Sequence, residues 1–288
     1  MRYRTVLAPI GAPEIGLSIL QTSLHLARAF DAHIDVLHVR PDPRGLVPYT
    51  GEGMDGSMIE EIMDVTEREG GEREARSREM FDNFAAEHGL RVADEPETGS
   101  GVSISWQSTV GREDEVVATR GRIYDVVAVG RPVKDAALPS PITLEAALLD
   151  TGRPILVAPP VAGDGFGRSI AIAWEGSPEA ARAIADAIPL LEKADRVTVL
   201  SAKAAQVAPI DADDLRRRLA WHGVACEIQS FEAAASELGA AFLDQSARAD
   251  ADLLIKGAYS QSRLRQLILG GRTRHILAHA EIPVLLSH

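Results

Sequence analysis

The sequence predicts an α/β protein with two tandem doubly wound, mostly parallel sheets, one in each half of the chain. Three observations support this fold class. Short, nearly all-apolar runs end at turn-forming residues, as is typical of parallel strands that are buried on both faces. Helix-like stretches with apolar residues three and four positions apart separate these runs. The same pattern then occurs a second time in the same order.

The repeat consists of four strand-like landmarks. They return in order in the second half: 5–10 as 170–175, 34–39 as 196–200, 125–130 as 252–257, and 154–157 as 283–286. Two unrelated Rossmann-like domains would not be expected to share four landmarks in one order. The sequence therefore indicates a duplication that covers essentially the whole chain.

The turn-rich stretch Pro159–Gly165 is the natural boundary between the two copies. We predict one domain at residues 1–160 and a second at residues 167–288, with helices over Leu17–Phe30 and Pro178–Leu191. The first half is longer by about 35–40 residues, which lie mostly at 41–90. There a loop rich in glycine and proline precedes a charged helical stretch that ends near Glu87. Its methionines and isoleucines are predicted to pack in the core, with an adaptable partner or ligand surface as the alternative.

The composition favours a cytoplasmic protein. A chain of 288 residues with 45% hydrophobic residues can fill two cores. Its one cysteine, Cys226, excludes an internal disulfide, and a strand-like run follows so soon after Met1 that we expect no signal peptide. No apolar run approaches the roughly 20 residues that span a bilayer. The net charge of −12 disfavours general binding to nucleic acids or anionic membranes.

The stretch Leu253–Thr273 carries the strongest functional signal. A short apolar strand ends at Gly257, and a basic segment leads from it to a pair of glycines. Glycines let the backbone approach a ligand closely, and the N–H groups at the start of a following helix attract anions. The spacing is Gly257-x2-Ser260-x9-Gly270-Gly271, with Thr273 two residues further on.

This spacing resembles the nucleotide loop of the universal stress proteins, whose pattern is G-x2-G-x9-G-[ST]. Ser260 stands where the family has glycine, and Gly271 stands where it has serine or threonine. With its duplication, the whole chain resembles a tandem universal stress protein. The resemblance implies a five-stranded, mostly parallel sheet in each half and a pairing of the two domains within the chain.

The resemblance also implies a site for ATP or another adenine nucleotide in the second half. Glu175 follows the first strand there, where the family carries an aspartate that holds the adenine or ribose side of the nucleotide. Gly257 and Ser260 would lie along the ribose and phosphates. Gly270, Gly271 and Thr273 would open the next helix toward the phosphates. Such positions meet beyond the carboxyl ends of the strands in open α/β sheets.

These residues also have structural interpretations. Ser177 and Pro178 are typical of a helix N-cap and a first helical position. The glycine pair is equally explained by a tight turn. The arginines of the segment either clamp phosphate or form a solvated helix face that pairs with acids of the neighbouring domain. These arginines are Arg263, Arg265, Arg272 and Arg274.

The first half is predicted to lack a nucleotide site. Aligning Gly130 with Gly257 places Val133, Thr143 and Leu144 at the other motif positions, and Ile10 at the position of Glu175. These motif positions carry side chains of the wrong kind, and Ile10 cannot hydrogen-bond a ribose. We expect this half to be a structural or interaction partner.

Three functions follow, in order of preference. The first is a non-enzymatic stress-response protein in which a nucleotide acts as a regulatory signal to other proteins. The second is a scaffold that binds no nucleotide, and the third is a slow ATP hydrolase. We expect no metal requirement: His275 and His279 have a spacing that zinc can use, but His288 is the only further candidate ligand nearby. Homodimerisation is left open.

Overall fold

The computed structural model describes residues 3–43, 56–95, 101–132, 140–203, 210–258 and 271–288. Strands and helices alternate through both halves, as predicted. The elements of the first half are β1 (Thr5–Pro9), α1 (Pro13–Phe30), β2 (His33–Arg40), α2 (Gly56–Glu87), β3 (Arg91–Val92), β4 (Ser103–Val110), α3 (Glu113–Arg120), β5 (Val126–Gly130), α4 (Pro141–Asp150) and β6 (Ile155–Ala158). Those of the second half are β7 (Ser169–Trp174), α5 (Pro178–Leu191), β8 (Arg196–Ala202), α6 (Ala212–Ala220), β9 (Glu227–Phe231), α7 (Leu238–Arg248), β10 (Leu253–Gly257), α8 (Gly271–His279) and β11 (Val284–Ser287).

The strands of both halves form one continuous sheet. In the described residues it has eleven strands in the order β3-β4-β2-β1-β5-β6-β11-β10-β7-β8-β9. All neighbours are parallel except β6 and β11, which pair antiparallel through Val157 with Val284 and Ile155 with Leu286. The mostly parallel fold is therefore confirmed, but the halves do not form two separate five-stranded sheets. Within these residues, six strands of the first half and five of the second join edge to edge. Joining covers one edge of each half, where unpaired backbone groups would otherwise be exposed.

The core lies in two layers, one on each face of the sheet. Helices α1, α2, α5 and α6 cover one face, through side chains such as Leu24, Phe81, Ile184 and Leu215. Helices α3, α4, α7 and α8 cover the other, through Val117, Leu144, Phe242 and Ile276. Each layer contains residues from both halves, so the apolar burial that stabilises one half is continuous with that of the other.

Two aspartates mark the duplication in the structure. The carboxylate of Asp125 accepts hydrogen bonds from the backbone N–H groups of Arg4 and Thr5 at 2.7 and 3.0 Å. The carboxylate of Asp252 accepts them from Arg168 and Ser169, both at 3.1 Å. Each aspartate thus ties the start of a central strand to the strand beside it. Thr5 and Ser169 are therefore equivalent positions, which fixes the register between the halves.

The inserted segment forms a long helix. Helix α2 has 32 residues, whereas α6, its counterpart after the second strand, has nine. The predicted helix end at Glu87 is confirmed, and Met80, Phe81 and Phe84 are buried in the core. Met58 is 47% exposed, so the amino-terminal end of α2 is not core in the way we predicted. The loop predicted before it falls largely at 44–55, outside the described residues.

No helix in the described parts of the chain combines the length and hydropathy needed to cross a membrane.

Candidate functional site

The candidate site lies at the carboxyl ends of β7 and β10. Strand order reverses here, because β7 is flanked by β8 on one side and by β10 on the other. Ligands of open α/β sheets bind at such a point, since the loops leaving neighbouring strands diverge and form a crevice. Glu175 directly follows β7, Lys256 is the second-last residue of β10, and Arg272 lies in the first turn of α8.

Glu175, Lys256 and Arg272 form a buried charged cluster. Lys256 Nζ lies 3.5 Å from Glu175 Oε1, and Arg272 Nη1 lies 3.6 Å from Glu175 Oε2. The side chains of Glu175 and Lys256 are 4% and 3% exposed, while that of Arg272 is 33% exposed. Lys256 Nζ also donates to the carbonyl of Gly257 at 2.7 Å. The carboxylate that we predicted to hold a ribose therefore has two cationic partners in its own half.

Burial dominates the electrostatics of Lys256. It lowers the pKa of this ammonium group, because the charged form loses its hydration, and the neighbouring Glu175 carboxylate opposes the shift. A buried charge is expensive unless it is paired. Glu175 is therefore the group that allows Lys256 to be charged inside the sheet.

The start of α5 is held next to this cluster. Ser177 caps the helix: its hydroxyl oxygen accepts from the N–H of Ala180 at 3.1 Å, and Pro178 is the first helical residue. The structural interpretation of this turn is thus confirmed. The Ser177 hydroxyl also donates to Glu175 Oε1 at 3.3 Å, which links the cap to the charged cluster.

Gly257 has a packing role that its sequence context did not reveal. A Cβ built on it would lie 2.2 Å from the backbone nitrogen of Ala180 and 2.5 Å from the carbonyl carbon of Glu179. Only glycine leaves room for the first turn of α5 against β10 at this distance. The predicted approach of a ligand to Gly257 stays a prediction, but this packing alone accounts for the glycine.

The other predicted site residues differ in what the structure shows. Gly271 begins α8, and a Cβ on it would meet nothing within 4 Å. Thr273 is buried in the first turn of the same helix, at 4% exposure. Ser260 and Gly270 lie outside the described residues, as do Arg263 and Arg265. Arg274 is exposed on α8.

Lys256 was not among the site residues predicted from the sequence. The structure places it on β10, with its ammonium nitrogen 3.5 Å from a carboxylate oxygen of Glu175. The available signal was its position within an otherwise apolar strand, LLIKG. A charged residue in a strand buried on both faces needs a partner, and a carboxylate following the adjacent strand is a candidate for it.

The first half carries neither of the two cations at the corresponding places. The equivalence of Thr5 with Ser169 places Gly11, rather than Ile10, opposite Glu175, which corrects our alignment by one residue. Val129 stands opposite Lys256 and is buried. A Cβ on Gly16 would lie 2.7–2.9 Å from Met80 and Ile10, so side chains fill the space beside the carboxyl end of β1. The predicted counterparts Thr143 and Leu144 are buried in α4, and Val133 lies outside the described residues.

A polar cluster of a different kind occupies the first half. Asp35 on β2 accepts from Tyr124 OH at 2.7 Å, from Gln107 Nε2 at 3.1 Å and from the hydroxyl of Ser105, and His33 Nε2 lies 3.4 Å away. Burial alone would raise the pKa of Asp35, but the hydrogen bonds from His33, Ser105 and Tyr124 outweigh it and lower the pKa to about 2. The register places Thr198 at the equivalent position of the second half. This cluster therefore holds together strands of the first half alone.

The histidines predicted to share a face of the last helix do so. The rings of His275 and His279 stack with centroids 4.2 Å apart, and His279 Nδ1 donates to the carbonyl of His275. Among the residues that the structure describes, no group of three or more His, Cys, Asp or Glu side chains is placed to hold a metal.

Comparison with known proteins identifies the fold. No protein-family model and no curated protein matches the chain by sequence. A universal stress protein from Archaeoglobus fulgidus aligns with a TM-score of 0.66 and 15% identity, over 99% of this chain and 96% of that one. A protein of unknown function from Pseudomonas aeruginosa aligns with a TM-score of 0.56 and 15% identity, over 99% and 92% of the two chains.

The same fold also occurs outside stress proteins. The cytoplasmic domain of a prokaryotic cation chloride cotransporter aligns with a TM-score of 0.51 and 12% identity, over 99% of this chain and 95% of that one. Identities this low establish a shared fold and no shared activity. The near-complete coverage includes both halves of the chain and their common sheet. The chain therefore has the fold of the universal stress proteins, carried twice and joined edge to edge in one sheet.

Proposed function

We propose that this chain is a cytoplasmic, non-enzymatic stress-response protein that binds an adenine nucleotide in its second half as a regulatory signal. One observation carries the proposal. Two cationic side chains, Lys256 and Arg272, converge at the strand-order reversal of the second half. At the equivalent positions of the first half, Val129 stands opposite Lys256 and Glu145 stands opposite Arg272, so no pair of cations lies there. Buried ionisable groups destabilise a fold, so a cluster confined to one of two otherwise similar halves supports a role in binding.

The two cations of this cluster suit the phosphates of a nucleotide. An ammonium and a guanidinium group both donate hydrogen bonds to phosphate oxygens. Helix α8 begins at Gly271, so the positive end of its dipole lies beside Arg272 and also favours an anion. The resemblance assigned Glu175 to the adenine or ribose side of the nucleotide, Gly257 and Ser260 to the ribose and phosphates, and Gly270, Gly271 and Thr273 to the helix start that faces the phosphates. Gly257, Ser260, Gly270, Gly271 and Thr273 keep these roles in the proposal.

The proposal is tested by identifying small molecules released from the purified, denatured protein by mass spectrometry, and by titrating ATP in a calorimeter. We expect an adenine nucleotide, or a heat of ATP binding that Arg272→Gln removes. Arg274→Gln is the matched control, because Arg274 is exposed on the same helix. Gly257 substitutions are unsuitable probes, since they would displace α5 whether or not a ligand binds. Release of phosphate from bound ATP would contradict the non-enzymatic part.

A scaffold that binds no nucleotide is the second candidate. Two observations favour it: the carboxylate of Glu175 already pairs with both cations, and packing accounts for Gly257. An empty protein that gives no heat with millimolar ATP would support the scaffold. Its partners would then be other proteins, which bind to its surface and not at the candidate site.

A further inference from the structure

The charged cluster of the second half has an unequal composition. Its three members are two cations and one carboxylate, so their formal charge is +1 when all three are ionised. The carboxylate of Glu179, which pairs with Arg182, also acts electrostatically on Lys256. The cluster's two nitrogen–oxygen distances, 3.5 and 3.6 Å, exceed the roughly 2.7–2.9 Å of a tight charge-assisted hydrogen bond. Glu175 therefore pairs with both cations without forming the short, bidentate contact that arginine makes with a well-placed carboxylate.

The cluster is accessible from one side. Glu175 and Lys256 are almost completely buried, but one third of the Arg272 side chain is exposed. Arg272 lies in the first turn of α8, a helix of nine residues whose N-terminus favours negative charge. An anion that approaches along α8 meets Arg272 first and Lys256 behind it. The group that it would have to displace is the carboxylate of Glu175.

We propose that Glu175 is an internal competitor that occupies the place of a ligand phosphate between Lys256 and Arg272. The inference rests on the proposed function, in that it takes this crevice to be the phosphate side of the nucleotide site. It reverses the role predicted for Glu175. A carboxylate that binds ribose strengthens nucleotide binding, whereas a carboxylate that competes with phosphate weakens it.

The consequence is a selectivity for phosphate charge. A ligand displaces Glu175 only if its interaction with the two cations is more favourable than that of the carboxylate. Di- and triphosphate groups are therefore preferred over a monophosphate, and adenosine gains no binding free energy from the cluster. Loss of the Glu175 charge removes the competitor, and a bound phosphate then replaces it as the anion that pairs with Lys256 and Arg272.

Calorimetric titration of pyrophosphate, ATP and adenosine into the wild-type protein, Glu175→Gln and Arg272→Gln tests this. We expect Glu175→Gln to bind pyrophosphate and ATP about tenfold more tightly, the equivalent of 1.4 kcal/mol, with adenosine unaffected. Arg272→Gln should lose pyrophosphate binding, and the control Arg274→Gln should keep it. Weaker ATP binding by Glu175→Gln, or pyrophosphate binding that is independent of Glu175, would overturn the proposal.

The outcomes separate this inference from the proposed function. If ATP binds and Glu175→Gln weakens it, the nucleotide function stands and the competitor role fails. If Glu175→Gln tightens pyrophosphate but ATP binds no better than pyrophosphate, the competitor role stands and the adenine site fails. If no variant binds any of the three probes, both fail. Should Glu175→Gln not fold, Glu175→Asp keeps the charge, withdraws it by one methylene and is expected to tighten pyrophosphate in the same direction.

Discussion

Gly257 lies against the backbone of Ala180, at a distance that leaves no room for a side chain. A Cβ on Gly257 would lie 2.2 Å from the Ala180 nitrogen, and its other near neighbours are also backbone atoms of α5. Backbone cannot rotate away as a flexible side chain does. The contact therefore fixes how closely α5 approaches β10, and with it the position of the Ser177 cap beside Glu175.

We expect Gly257→Ala to destabilise the protein strongly, by about 3 kcal/mol or more, because α5 must move to accommodate the methyl group. Gly271→Ala is the matched control: a Cβ there meets nothing within 4 Å, so its stability should stay within about 0.5 kcal/mol of wild type. Urea unfolding of both variants at pH 7 gives the comparison. Equal midpoints for the two variants would show that α5 is not held in this way.

The buried ion pair of Glu175 and Lys256 leads to a prediction about the stability of the fold. Removing one partner leaves a buried charge without compensation, so Glu175→Ala should lose about 3–5 kcal/mol of stability. The double variant Glu175→Leu/Lys256→Met replaces the pair by apolar groups and should unfold close to the wild type. Chemical unfolding of the single and double variants measures the coupling. A double variant whose loss of stability equals the sum of the losses in the single variants would contradict this coupling.

Lys256 also gives the stability a dependence on pH. Burial lowers its pKa in the folded protein below that of the unfolded chain. Between the two values the unfolded chain binds more protons, so the contribution of this group to stability rises with pH across that window. Lys256→Met should remove that rise. Unfolding free energies measured in steps from pH 7 to pH 10 test this, with Lys193→Met as the control at a residue outside the cluster.

Asp35 gives the stability a dependence on pH at the acidic end of the scale. Hydrogen bonds lower its pKa in the folded protein to about 2, below the value of an unfolded aspartate. Its contribution is therefore complete above pH 4 and is lost as the pH falls toward 2. We expect Asp35→Asn to cost on the order of 2 kcal/mol at pH 7 and little at pH 2. A cost that stays constant over this range would show that the ionised form is not what stabilises the cluster.

The shared sheet predicts that both halves unfold together. The β6–β11 pairing and the hydrogen bond from Tyr3 OH to the carbonyl of Asp186, at 2.6 Å, connect them, and both apolar layers span them. Trp106 reports on the first half and Trp174 on the second, after Trp221, which is 87% exposed, is replaced by Phe. We expect one midpoint for both reporters, and Asp252→Ala to lower both equally. Two separate midpoints would mean that the halves unfold independently.

Much of the fold could be predicted because it depends on local patterns. The runs that became β1, β5, β7 and β10 are apolar because these strands are covered on both faces, and that requirement is visible in the residues themselves. Ser177 and Pro178 end the preceding loop by local hydrogen bonding and backbone geometry, so the helix start they predict is confirmed. The charged helical stretch of the insertion was also predicted from its sequence, and it forms α2.

Less of the candidate site could be predicted. The sequence placed Glu175 at the correct strand end and Gly257 at the other, but a glycine looks the same whether it faces a ligand or a helix backbone. Lys256 was not predicted as a site residue, because its charge is visible in the sequence and the direction of its side chain is not. The side-chain direction follows from the pleat of β10 and its pairing with β7, through Lys256 beside Ala173.

The sequence by itself therefore determined the alternation of strands and helices, their duplication, and the half of the chain in which charged residues collect at strand ends. These features depend on the periodicity of burial within each element. The tertiary structure decided that β6 pairs with β11 to make one sheet, that α5 packs on Gly257, and that Glu175 meets Lys256 and Arg272. Those contacts join residues distant in the chain, and only the packing of whole elements brings them together.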